Sequence, residues 1–245
     1  STASDATFQT MATNIGKLNT VVTAVPVKGE DFTYTGNCEV INDSDGSTPL
    51  WRIKFLTSGI FTLLSGTMQV DAFYVGGGGG GSRGYGYGGG GGYTLTKSKI
   101  VLSKNTEYQI LIGSGGAAAT GGSTNVVKAG GDGGPSTGFG YSCSGGYGGY
   151  FDGVHDGGNG GSGGGGWCSN GGYDGNDGNS RLKKSGEVSS AGGTGQRTTT
   201  REFSEENGDL YAGGGCGYLN VNDGRNTSLN LLYGEGSSVL GGGGA

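Results

Sequence analysis

Histidine, proline and charge are all scarce in this sequence, and each shortage removes a class of function. One His (His155) leaves no second imidazole for a His-based metal cluster, and a His-centred triad is hard to build around it. Three Pro residues exclude a collagen triple helix, which sets Pro beside a strict Gly-X-Y repeat. Charged residues make up 14%, against about 25% in ordinary domains. The balance is 15 Lys+Arg against 20 Asp+Glu, a net charge of −5, so there is no basic footprint for a nucleic-acid backbone. No apolar run approaches the ~20 residues of a membrane span. The cysteines Cys38, Cys143, Cys168 and Cys216 form no CxxC pair, which argues against zinc and against a dense disulfide framework. Buried thiols are the expectation, with Cys143 and Cys168 the pair to test for a bond. The chain opens on Ser1, as expected of a processed product or the end of a longer protein.

What is abundant is glycine, 63 of 245 residues, and it is unevenly spread. Residues 1–75 hold 6 Gly, whereas residues 76–178 hold 41. The first 25 residues read as a helix, with apolar side chains at Phe8, Met11, Ile15, Leu18, Val22 and Val25 in the alternating three–four spacing of a coiled coil. Pro26 stops it. So short a helix needs a partner, an upstream continuation or its own domain to lie on. Residues 31–75 read as β. Phe32–Tyr34 is a short strand, and Trp51, Ile53 and Phe55 alternate with Arg52 and Lys54. Ile60–Leu64 and Met68–Val75 follow. Tyr93–Thr96 with Ile100–Leu102, Glu107–Ile112, Tyr218–Val221 and Leu229–Tyr233 carry further strand signals. The expected fold class is mainly β: a sandwich over 29–245 with large glycine-rich insertions at about 76–217, preceded by a helix or stalk connection at 1–28.

The glycine runs have three possible states. Gly79–Gly84 satisfies G-x-G-x-x-G, but so does any glycine run, and no helix follows to receive a phosphate. A flexible linker is polar, whereas these runs are punctuated by Tyr85, Tyr87, Tyr93, Phe139, Tyr141, Tyr147, Tyr150, Phe151, Trp167 and Tyr173. They also keep a period of three, as in Gly145-Gly-Tyr147-Gly-Gly-Tyr150, Gly130-Gly-Asp132 and Gly157-Gly-Asn159. That period fits an extended helix with three residues per turn and ~3.1 Å rise. Such a helix has no internal hydrogen bonds, so several must pair backbone to backbone. Two bare glycine edges per turn permit the approach, and the third edge displays a side chain.

The segments Val70–Gly81, Gly88–Thr94 and Glu107–Gly113 resemble the glycine-rich domains at the C-termini of bacteriophage tail fibres. The shared pattern is a strand entering polyglycine, a return through Gly-Gly-Tyr-Thr and a strand ending in a Gly-rich loop. The resemblance covers about residues 60–135, and composition carries it further. It implies a trimeric or tip-located adhesin of a virion that recognises a bacterial surface receptor, glycan or protein, with polyglycine helices supporting variable loops. Residues 1–28 would then join the upstream fibre. A similar β-plus-polyglycine arrangement occurs outside the cell in the anaplastic lymphoma kinase receptor family, whose cysteine-rich modules are missing here.

Rigid aromatic rings beside Ser, Gly and Asn suit a binding surface. The candidates are Tyr147, Tyr150, Phe151, His155, Trp167, Asn170, Tyr173 and Asp174, in a tip spanning 139–178. Asp43-Ser-Asp45-Gly46 lacks the ligand spacing of a calcium loop, and Asp174-Gly-Asn-Asp177 departs from calcium β-helix repeats, so no metal or cofactor is expected. Residues 179–208 read as a polar excursion. The expected function is non-enzymatic receptor binding on a virion, with a homotrimer as the expected assembly and neither nucleic acid nor a membrane among its partners. A structural virion part is the alternative, and a polysaccharide-degrading tailspike activity or an extracellular ligand-binding domain lies beyond it. Asp152 with Asp156 is one carboxylate pair, but no spacing singles it out for glycosidase chemistry.

Overall fold

The computed structural model describes residues 25–42, 51–83, 87–120, 128–150, 157–161, 163, 164, 203 and 211. Within them the protein is mainly β, with several small sheets. The expected N-terminal helix (apart from Val25) and the expected strands at 218–221 and 229–233 lie outside the described residues. Contacts divide the described chain into two compact units. The first draws on 25–72, 97–111 and 138–140, the second on 73–96, 112–137 and residues from 141 onward.

The first unit is built by alternation. Strand β1 (Phe32–Tyr34) pairs antiparallel with β4 (Gly59–Leu63), which pairs antiparallel with β7 (Glu107–Ile110). Strand β2 (Cys38–Asn42) pairs antiparallel with β3 (Trp51–Phe55) in register Cys38↔Phe55 and Val40↔Ile53. Strands β5 (Thr67–Val75) and β6 (Thr94–Ser103) form another ladder, of which residues 67–72 and 97–103 belong to this unit. One core collects a pair of alternating residues from each of five strands: Phe32 and Tyr34, Phe61 and Leu63, Met68 and Val70, Ile100 and Leu102, Tyr108 and Ile110. Val40, Ile53 and Phe55 pack against it from β2 and β3. Phe32, Phe61, Leu63 and Leu102 are sealed from solvent, each contributing about 1.5–3 kcal/mol of burial. Phe32 stacks on Phe61 with ring centroids 5.3 Å apart, and Phe55 meets Phe61 edge-on at 5.9 Å. The strands read as Tyr93–Thr96 and Ile100–Leu102 are one strand, β6, with Lys99 at φ 61° in its middle and its amide held by Asp71 Oδ1 at 2.8 Å. Lys99 and Asp71 both belong to the first unit.

The second unit contains strands β8 (Ser136–Gly138, in part) and β9 (Tyr141–Cys143), and a lattice of extended glycine runs. We number the runs 1 (76–83), 2 (87–93), 3 (113–120), 4 (128–135), 5 (144–150) and 6 (157–161). Their bonds step by three. The amides of Gly76, Gly79 and Ser82 donate to the carbonyls of Tyr93, Gly90 and Tyr87. Those of Gly77, Gly80 and Arg83 donate to Gly134, Gly131 and Lys128. The carbonyls of Gly78 and Gly81 accept from Gly116 and Ala119, and those of Gly77 and Gly80 from Gly146 and Gly149. Falling partner numbers make runs 2 and 4 antiparallel to run 1, and rising ones make runs 3 and 5 parallel to it. Gly133→Gly146 and Gly130→Gly149 join runs 4 and 5, and Gly134→Ser114 and Gly131→Ala117 join runs 4 and 3. Gly90→Tyr147 joins runs 2 and 5, Tyr147→Asn159 joins 5 and 6, and Gly158→Gly88 with Gly161→Gly91 joins 6 and 2. Two rows result, 3–1–2 over 4–5–6, and each run bonds to every neighbour. A three-residue repeat with bonds only between runs is the polyglycine II arrangement that the sequence period predicts.

Side chains follow the lattice. Run 1, bonded to runs 2, 3, 4 and 5, is Gly at every position from 76 to 81, and each is buried, whereas run 5 bonds to as many runs but keeps an outward edge at Tyr147 and Tyr150. A Cβ at Gly79 would strike the Tyr147 carbonyl, and one at Gly80 the Ala117 carbonyl. Runs 4, 5 and 6 have an open edge and carry one side chain in three: Ala129 and Asp132, Tyr147 and Tyr150, Asn159. Run 3, at the end of a row, carries Ser114, Ala117, Ala118, Ala119 and Thr120, all exposed except the half-buried Ala119.

Two buried polar side chains tie the runs to their flanking strands. Ser136 Oγ donates to the Val75 carbonyl at 2.6 Å and accepts from the Gly113 amide at 2.9 Å. Cys143 is a free thiol, 4% exposed, donating to the Tyr93 carbonyl at 2.9 Å. Burial pushes it from an ordinary 9 to about 11, against a smaller opposing pull from the Gly76 amide. Tyr74 is likewise driven from 10 to about 12, by burial first and then by the neighbouring Tyr141. In both groups the folded state holds its proton more tightly than the unfolded chain. Their contribution is therefore complete below pH 9 and lost as pH rises through 9–12. We expect an alkaline unfolding transition in that window, and Cys143 unreactive to iodoacetamide at pH 8 until denaturant is added. Native alkylation of Cys143 at pH 8 would show that the thiol is not sealed.

Candidate functional site

The outward edges of runs 4, 5 and 6 meet in one open depression of about 390 Å³. Run 4 supplies Ala129 and Asp132, run 5 supplies Tyr147 and Tyr150, and run 6 supplies Asn159. The floor is glycine backbone: Gly130, Gly148, Gly157 and Gly158. Tyr147 and Tyr150 are 54% and 55% exposed, which places both rings on the surface. They stand three residues apart, so a three-fold helix puts them on the same edge, about 9 Å apart along its axis.

The backbone beneath the rings is fixed on several sides. The Tyr147 amide donates to the Asn159 carbonyl at 2.8 Å, and its carbonyl accepts from Gly90 at 2.9 Å. Gly149, between the two tyrosines, donates to Gly80 of the central run at 2.8 Å. Asp132 Oδ1 accepts from the Gly148 amide at 2.8 Å, which pins the carboxylate beside the rings. Tyr93, at the end of run 2, has its phenol raised by burial and secondarily by Tyr147. Two aromatic faces, a carboxylate and an amide side chain on a stiff floor can stack against an apolar face and accept hydrogen bonds from hydroxyls.

The stretch from residue 56 to residue 245 matches the family model described as a glycine-rich domain. The chain belongs to the glycine-rich domain family. No curated protein and no solved structure matches it.

Of the residues expected to bind, this glycine-rich domain brings Tyr147 and Tyr150 together on one face. Phe151, His155, Trp167, Asn170, Tyr173 and Asp174 lie outside the described residues. The other aromatics divide. Tyr87 is buried at 3% exposure, with its amide held by Ser82 Oγ at 2.7 Å. Phe139, at the start of the expected tip, packs into the core of the first unit. Asp132 and Asn159 join the face without having been singled out from the sequence. Their signal was present, since each follows two glycines in the three-residue period, but the period alone does not say which runs are neighbours.

Proposed function

We propose that the chain is a non-enzymatic host-recognition module, the receptor-binding end of a bacteriophage tail fibre or tail-tip protein that attaches the virion to a bacterial surface. The observation that carries this reading is the face of runs 4, 5 and 6. A lattice held by backbone bonds needs few side chains for its own packing, so most side chains on its outward edges can serve a receptor while the backbone scaffold stays fixed. Rigid tyrosines at such positions lose little entropy on binding. The resemblance of Val70–Gly81 and Gly88–Thr94 to tail-fibre glycine-rich domains supplies the viral setting. A bacterial surface glycan or protein is the receptor class, residues 1–28 join the upstream fibre, and the assembly is a homotrimer.

The test is binding of the purified chain to a panel of bacterial strains, with competition against a phage that carries it. The expected result is saturable binding to a narrow set of strains, together with protection of those strains from infection. Binding to no strain, combined with capture of another virion protein through residues 1–28, would replace this reading with a structural virion part.

A further inference from the structure

Resting on the recognition reading, we infer that the face formed by Asp132, Tyr147, Tyr150 and Asn159 takes an extended polysaccharide, laid along run 5 with alternate sugar units over the two rings. Three observations carry this beyond a generic contact surface. The face is open and shallow, about 390 Å³ over a glycine floor, which suits a chain passing across it better than a small molecule that must be enclosed. Its two apolar elements are exposed flat rings on one edge, set about 9 Å apart by the helix repeat, close to the length of a disaccharide in an extended glycan. Its polar side chains are a carboxylate and an amide on the flanking runs, so hydroxyls of a sugar seated on a ring have acceptors to either side.

The chemistry also selects among ligands. A pyranose offers an axial C–H face to a ring and equatorial hydroxyls around its rim, matching an aromatic edge bordered by acceptors. The Asp132 carboxylate disfavours a sugar acid at that position, so the chain expected there is neutral.

The experiment uses the full chain and two kinds of probe: intact cells of bound strains, either untreated, oxidised with periodate or shaved with protease, and immobilised bacterial polysaccharides, neutral and acidic. The expected pattern is cell binding abolished by periodate, which cleaves vicinal diols, retained after protease, and matched by retention on a neutral polysaccharide. Tyr147→Ala and Tyr150→Ala should each weaken that binding about tenfold, and Tyr147→Phe and Tyr150→Phe should stay within about twofold, because the face of the ring does the work. Both rings are more than half exposed, so all four variants should melt with the parent, which separates lost contact from lost fold. Binding that survives periodate, or that the double alanine variant leaves intact, overturns this inference while the recognition reading stands. Retention of no cell and no polysaccharide overturns both.

Discussion

Gly79→Ala should destabilise the second unit by about 3 kcal/mol or more, while Gly115→Ala should leave it unchanged or stabilise it by about 0.5 kcal/mol. The chemical change is the same methyl group, and only the lattice position differs. At Gly79, in the run bonded to four others, the new Cβ would sit inside the Tyr147 carbonyl. That oxygen accepts from Gly90, and the amide of Gly79 itself donates to the Gly90 carbonyl at 2.8 Å. The methyl group can be accommodated only by moving run 5 away from run 1, which stretches the bonds from Gly146 to Gly77 and from Gly149 to Gly80. Everything it meets is backbone, so no side chain can swing aside. At Gly115 the nearest atom to a Cβ is the Gly78 carbonyl at 3.8 Å, ordinary van der Waals contact, and the residue is exposed. Alanine there restricts the unfolded chain more than the folded one. Urea melts of both variants, with hydrogen exchange at the amides of Gly79, Gly80 and Gly90, make the comparison. Those amides should be among the slowest to exchange in the parent and should lose protection in Gly79→Ala. Melts of Gly79→Ala and Gly115→Ala that coincide would mean the runs do not pack at backbone contact distance.

The same rule explains what could be read in advance. Alternation marked β3 in the sequence, and short apolar runs marked β1, β4 and β5, because each commits apolar side chains to a core. The three-residue period at Gly145–Tyr150 marked an edge facing outward, because the lattice tolerates a Cβ only there. Pairing between runs was not legible. It is made by amides and carbonyls that every glycine shares, so no side chain identifies a partner, and Asp132 and Asn159 were not connected to the tyrosines for that reason. Three strands also passed unread. Strand β2, Cys38–Asn42, pairs along its whole length with β3, but its alternation of Cys, Val and Asn with Glu and Ile gives no clean apolar face. Strands β8 and β9 are three residues each, too short for any period to emerge.

Phe139, which lies between those two short strands, is the residue whose loss should cost the first unit most for its apparent position. Its sequence context, Gly138-Phe-Gly140, reads as one more ring on a glycine segment. The backbone there turns through φ 50° at Phe139 and 84° at Gly140, the double positive φ of a tight hairpin. A bulky residue in the left-handed region costs about 1 kcal/mol or more and persists only where its surroundings hold it. Here the ring meets Tyr108 at 5.5 Å, Phe61 at 5.9 Å and Phe55 at 6.3 Å, each edge to face. It thereby joins the β4–β7 sheet to the β2–β3 ladder. Phe139→Ala keeps the backbone strain and removes every ring contact, so a loss of about 3 kcal/mol is expected, at the low end for buried aromatics because the ring is half-buried. Phe139→Asn removes the same contacts but suits the left-handed turn, and should recover about 1 kcal/mol of that loss. The ordering parent, then Asn, then Ala in urea midpoint separates packing from turn preference. If Asn matches the parent, the turn alone sets the hairpin and the ring contacts contribute nothing.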